Sequence, residues 1–170
     1  MHRELLLLGV LRQGNMHGYG INEFIQRDMA FCTDLKKPTA YHLLQKMAAA
    51  GWIHEQEMQE GNRPPRRIYH ITPEGEIAFQ RLLRENLRSH LTTRFDGDIG
   101  LAFIDELPTD EALTLLRDRQ AALKAEQTLL ENVPGHGEGG LQLILEHQKR
   151  YLTFELAWLD EVMTRLAHRV

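Results

Sequence analysis

Leu5, Leu6, Leu7, Leu8, Val10 and Leu11 form a run that is apolar on nearly every side of a helix. Such a helix belongs at the centre of a core, and Gly14 and Asn15 end it. After a turn over Met16-His17-Gly18-Tyr19-Gly20, the residues Ile21, Phe24, Ile25 and Met29 predict a second helix with one apolar stripe. The clearest pattern is KKPTAYHLLQKMAAAGWI, Lys36 to Ile53. Ala40, Leu43, Leu44 and Met47 recur at i, i+3, i+4 and i+7, the buried side of a third helix. His42, Gln45 and Ala49 point the opposite way, and Thr39, Tyr41 and Lys46 lie on the flanks. Pro38 is tolerated in a first turn, and Gly51 stands where a helix stops.

The period changes after Gly51. Trp52 to Met58 and Arg67 to Ile71 are rich in β-branched and aromatic residues, and read as two strands. The loop between them, Gln59-Glu60-Gly61-Asn62-Arg63-Pro64-Pro65, is built of turn formers. Thr72 as N-cap and Pro73 at the first position open a fourth helix. Ile77, Phe79, Leu83, Leu87 and Leu91 continue it to about Thr93.

In the second half, Phe95 to Leu107 is a short apolar segment, and Thr109 is the expected N-cap of a long helix. Asp110 and Glu111 suit the positive end of its dipole. Leu113, Leu116, Leu123 and Leu130 give it a seam at spacings of three and seven, as in a coiled coil. A glycine-rich break at 134–140 precedes a last helix from Leu141 to about His168. That helix has two apolar stripes. Leu141, Leu145, Leu152, Leu156, Leu159, Met163 and Leu166 make one; Ile144, Tyr151, Phe154, Trp158 and Val162 make another, roughly 100° away. One neighbouring helix cannot cover so wide an arc, so a second copy of the chain is expected to do so. The expected dimer interface is Leu145, Tyr151, Leu152, Leu156, Trp158, Leu159, Met163 and Leu166.

These elements predict a mainly α fold class: a three-helix winged helix-turn-helix (α+β) with a two-stranded wing, then long C-terminal dimerisation helices. The expected domains are 1–93, binding DNA, and 94–170, holding the dimer together, with the flexible break at 134–140. In a winged helix the third helix enters the major groove and the wing touches the adjacent backbone or minor groove.

Charge sharpens the picture. The net charge of −4 argues weakly against a nucleic-acid partner until it is located. Residues 96–170 hold 14 acids against seven Lys and Arg, whereas residues 36–67 carry six basic residues against three acids. Local sign decides what an anionic partner meets. Arginines at the wing tip neutralise phosphates, and Thr39, His42 and Gln45 donate or accept at base edges.

Other classes find little support. The single cysteine, Cys32, rules out an intrachain disulfide and fits a reducing cytosol. Leu5 to Leu11 is too short for a signal peptide, and no segment approaches the ~20 apolar residues of a membrane span. A cytoplasmic protein without a membrane partner is expected. The nine histidines form no HxxxH or HExxH pair, and there is no CxxC, phosphate-cradling glycine loop or nucleophile elbow. No catalytic residue, metal or cofactor is therefore assigned.

Three segments carry a resemblance. MHGYGI (Met16 to Ile21), TAYHLLQKMAAAGWI (Thr39 to Ile53) and RRIYHITPEG (Arg66 to Gly75) are similar, in order and spacing, to the signatures of the PadR family of bacterial transcriptional regulators. Ala40 and His42 stand where that family usually has leucine and proline around Tyr41, and Met47 replaces a usual leucine. The resemblance implies a sequence-specific DNA-binding regulator, a repressor that acts as a homodimer on a palindromic operator of double-stranded DNA. The DNA-contacting set is then Tyr19, Lys36, Lys37, Thr39, Tyr41, His42, Gln45, Lys46, Arg63, Arg66 and Arg67. It also allows a small aromatic effector, with Tyr151, Phe154 and Trp158, or Trp52 elsewhere, lining its pocket; interface packing is the other reading of those aromatics. The alternative function is a winged-helix protein-interaction module without DNA binding.

Overall fold

A computed structural model of the chain describes residues 2–14, 16–17, 20–21, 23–25, 33, 35–59, 66–90, 92–133 and 139–168, with Met16, His17 and Arg66 described by their backbone alone. The chain divides into two compact units, Met1–Leu91 and Thr92–Val170.

In the first unit, α1 (His2–Arg12) buries Leu7, Leu8, Val10 and Leu11. Residues 20–21 and 23–25 are helical, and Ile21 and Ile25 are buried with α1. The third helical stretch in chain order, α2 (Lys37–Ala49), adds Ala40, Leu44 and Met47 to the same core. Three strands take the order β1-β3-β2, all antiparallel: β1 (Met16–His17), β2 (Ile53–Met58) and β3 (Arg66–Ile71). The expected wing is thus present, and the stretch at Met16–His17, expected to turn, pairs with Tyr69 and Ile68 on the far edge of β3. An isolated hairpin is marginal, so a third strand and the helical core beneath it support the wing.

Two junctions fix the far end of α2 to β2 and the next helix. Gly51, just past α2, takes φ +74°, the left-handed conformation that only glycine adopts freely. Thr72 Oγ1 donates to the Gly51 carbonyl at 2.7 Å and accepts from the Gly75 backbone N–H at 3.0 Å, capping α3 (Pro73–Arg88).

The α3 surface differs from expectation. It ends at Arg88, where Ser89 turns extended, and it buries Gly75, Ala78 and Leu82. Ile77 and Leu87 are 71% and 76% exposed. Small residues at i and i+3, Gly75 and Ala78, let the start of α3 approach the core closely with Leu82 on the same inward face, which turns Ile77 and Leu87 outward. The half-buried Phe79 meets α1 instead: the Arg12 guanidinium lies 4.5 Å from its ring centroid and pairs with Glu76 at 2.8 Å.

In the second unit, α4 (Gly97–Ala102) and a single 3-10 turn (Ile104–Glu106) precede two long helices, α5 (Thr109–Glu131) and α6 (Gly140–Ala167). Pro108, not Thr109, is the N-cap of α5. Its extended backbone and its carbonyl, which accepts from Ala112 N–H at 3.0 Å, leave Thr109 already inside the first turn. The helices run antiparallel: Leu116 shares a cluster with Leu159 and Leu166, and Leu130 shares one with Leu145 and Leu152.

This packing corrects the assigned dimer surface. Leu145, Leu152, Leu159 and Leu166 are 0–8% exposed within a single chain. They recur every seven residues and face the seam of α5, so α5 covers them and a second copy is not needed for that stripe. Leu156, Trp158, Met163 and Tyr151 stay half-buried, and Phe154 and Leu143 are 66% and 68% exposed. No described helix is long and apolar enough to cross a membrane.

Candidate nucleic-acid interface

The interface is built on α2. Lys36 is its N-cap, in extended backbone, and its carbonyl accepts from Ala40 N–H at 3.0 Å. Pro38 sits in the first turn, where its missing N–H costs nothing. No acidic residue occupies that turn, and Lys36 and Lys37 are exposed beside it. The helix dipole and two ammonium groups therefore present positive potential at one end of α2, suited to a phosphate. Lys37 Nζ lies 5.9 Å from the Tyr41 ring centroid, within cation–π range.

The face expected to read bases is open. His42 and Gln45 are exposed, Ala49 is exposed on the same side, and Thr39 and Tyr41 are half-buried. The division comes from helical geometry: burying Ala40, Leu44 and Met47 turns His42 and Gln45 to solvent. Imidazole and carboxamide groups both donate and accept, which suits the edges of bases in the major groove. Lys46 is exposed too, but its Nζ meets Glu4 of α1 at 3.6 Å. That pair links α2 to α1.

The wing is partly described. Arg63 and Tyr19 lie outside the described residues, as do Cys32 and His136, and Arg66 opens β3 as the partner of Met58. Arg67 is exposed, and its Nε forms an ion pair with Glu55 Oε1 at 3.0 Å. Glu55 stands directly opposite Tyr69 in the ladder, and Glu57 opposite Arg67. Tyr69 is fully buried. Burial pushes its hydroxyl pKa up; the Glu55 charge adds to that shift, and Arg67 opposes it. On the other face of the hairpin, His54 and His70 stand opposite each other with ring centroids 6.1 Å apart.

Sequence reading missed both carboxylates, Glu4 and Glu55, that engage basic residues of this surface. Glu55 was within reach, because strand residues two apart share a face and the hairpin register brings 55 diagonal to 67. Glu4 was not, since its pairing with Lys46 depends on how α1 crosses α2.

The second unit holds the aromatic candidates apart. Trp158 borders a hollow of about 300 Å³ with Leu101, Ile104, Asp105, Val162, Arg165 and Leu166. Tyr151 instead stacks on Phe95, with ring centroids 6.0 Å apart and planes within 4°. Burial raises its hydroxyl pKa, and the charge of Glu155 adds to the shift. Phe154 points to solvent. A second hollow of about 280 Å³ is lined by α4 and α5, including Leu101, Leu115, Leu116 and Arg119. Among the described residues, no group of three or more His, Cys, Asp or Glu is placed to hold a metal ion.

Comparison with known proteins agrees with this geometry. Residues 7–81 match the model of the Transcriptional regulator PadR-like family. Over 176 aligned residues the chain is 24% identical to the negative transcriptional regulator PadR of Bacillus subtilis (strain 168), with 94% of each chain covered. The crystal structure of B. subtilis PadR in complex with operator DNA shares the fold with a TM-score of 0.81 at 20% identity, covering 96% of this chain and 98% of that one. The same protein in complex with p-coumaric acid gives 0.79 at 20% identity, with the same coverage. The winged-helix unit thus matches the PadR-like family model over residues 7–81, and the fold of B. subtilis PadR is shared along nearly the whole chain.

Proposed function

We propose that this protein is a transcriptional regulator, a cytoplasmic repressor that acts as a homodimer on a palindromic operator and is released by a small aromatic ligand. Its first unit binds double-stranded DNA and its second unit joins the two copies. The observation that carries the reading is the division of α2: Ala40, Leu44 and Met47 inside, His42 and Gln45 outside, and Lys36 and Lys37 at a helix N-terminus whose first turn holds no acid. His42, Gln45 and Thr39 read base edges, with Tyr41 beside them. Lys36, Lys37, Lys46, Arg67, and from the sequence Tyr19, Arg63 and Arg66, contact the backbone and supply affinity that salt removes.

Repression and release are supported by the relatives. The B. subtilis protein is a negative transcriptional regulator, and its solved forms include complexes with operator DNA and with p-coumaric acid. Dimerisation is supported by the apolar residues that α5 and α6 leave open: Leu115 at 52%, Leu129 at 70%, Leu143 at 68% and Phe154 at 66% exposure. Half-buried Tyr151 and Trp158 lie on the Phe154 side of α6, whereas half-buried Leu156 and Met163 flank the leucines that α5 covers.

Retention on a heparin column tests the proposal against an interaction module that has lost DNA binding. The regulator is retained and elutes with salt, as counterion release requires. Passage through the column without delay at low salt favours the interaction module.

A further inference from the structure

We propose that Glu55 is a selectivity residue: it holds Arg67 away from random DNA, so that the wing engages phosphate only where α2 also reads its bases. This rests on the proposed binding of DNA by the first unit. The Glu55 carboxylate forms an ion pair with Arg67 Nε at 3.0 Å, and both side chains are accessible to an approaching strand, Arg67 more than Glu55. Glu57 is exposed directly across the ladder from Arg67, so two carboxylates and this one guanidinium share a strand face. A phosphate that takes the Nε edge of Arg67 must displace Glu55, and one that takes its other N–H groups still meets the repulsion of the Glu55 and Glu57 carboxylates on the same face. On random DNA nothing offsets that cost, whereas on the operator the base contacts of His42 and Gln45 do. Glu55 is also held in place: it pairs with the fully buried Tyr69 across the ladder, which anchors β2 and β3 at that rung. The same carboxylate raises the pKa of the Tyr69 hydroxyl, which places its charge close to that buried group.

The test compares wild type, Glu55→Gln, Arg67→Gln and the double variant by fluorescence anisotropy. The probes are a random-sequence duplex pool and a duplex enriched by wild-type protein from such a pool, each across a salt series. Melting curves confirm that every variant is folded. Glu55→Gln should bind the random pool several-fold tighter, with a log–log salt slope steeper by about one unit. It should gain less on the enriched duplex, so the ratio between the two falls. The gain should vanish when Arg67 is also replaced, as coupling through one ion pair requires. A folded Glu55→Gln protein that binds the random pool no tighter than wild type overturns the assignment. So does a gain that persists without Arg67, which would mark a general charge effect. Wild-type protein that binds neither probe removes the DNA-binding reading itself, and is recognised before any variant is compared.

Discussion

Gly75 lies directly beneath the carbonyl of Trp52: a Cβ built on Gly75 would stand 2.0 Å from that oxygen. Backbone on backbone at this distance leaves no room for any side chain. The contact joins the start of α3 to the start of β2, and the Thr72 hydroxyl bridges the same two segments through Gly51 and Gly75. Gly75→Ala must push these segments apart, and is expected to destabilise the first unit by at least about 1–3 kcal/mol. Thr72→Ala loses a cap and should cost about 1–2 kcal/mol. Urea denaturation monitored by circular dichroism measures both; an unchanged midpoint for Gly75→Ala contradicts the packing described.

Arg119 and Glu155 pair within the second unit, where Glu155 is the one buried charged residue among those described. The guanidinium also lies 5.9 Å from the Trp158 ring centroid. Arg119→Ala strands the Glu155 carboxylate and should destabilise the unit by about 3 kcal/mol, the lower end for a buried pair because Arg119 is 29% exposed. Replacing both residues with leucine should cost less than Arg119→Ala alone. Thermal melts of the single and double variants decide it.

Leu159 and Phe154 sit on the same helix but face different surroundings, at 0% and 66% exposure. Leu159→Asp buries an unpaired charge between α5 and α6 and should unfold the second unit. Phe154→Asp should leave the helices intact and turn a dimer into a monomer. Light scattering beside circular dichroism separates the two outcomes. A folded, dimeric Phe154→Asp protein would move the interface away from this face of α6.

Base reading and backbone anchoring should separate in α2. Gln45→Ala and His42→Ala are expected to relax preference at particular base pairs by roughly 1–3 kcal/mol each. Lys36→Ala should weaken binding to every sequence alike and lower the salt slope by about 1 unit. Anisotropy on operator and scrambled duplexes distinguishes them; equal losses on both duplexes from both kinds of variant would contradict the separation.

Much of the first unit is legible in the sequence because its determinants are local. The inner face of α2 comes from helical spacing, its end from Gly51, and the start of α3 from Thr72-Pro73. The features that escape depend on partners far along the chain. The Met16–His17 strand is too short to show a period and exists only through β3. Ile77 and Leu87 resemble core residues until the close approach of Gly75 and Ala78 turns them out. The Arg119–Glu155 pair spans 36 residues, and α5 covers the leucine stripe of α6 that the pattern alone would give to a second copy. In the candidate interface, helix periodicity identifies the outward face of α2. Glu55, which restrains Arg67, follows from strand register, whereas Glu4, which pairs with Lys46, emerges only with the contact between α1 and α2.

The central claim is that the outward face of α2 reads DNA sequence in a dimer. Selection of bound duplexes from a random pool, with purified protein at two salt concentrations, tests it most directly. The expected result is an enriched palindrome with half-sites about one helical turn apart, retained at the higher salt. A pool that stays unenriched at both salts, whether bound or not, would contradict it.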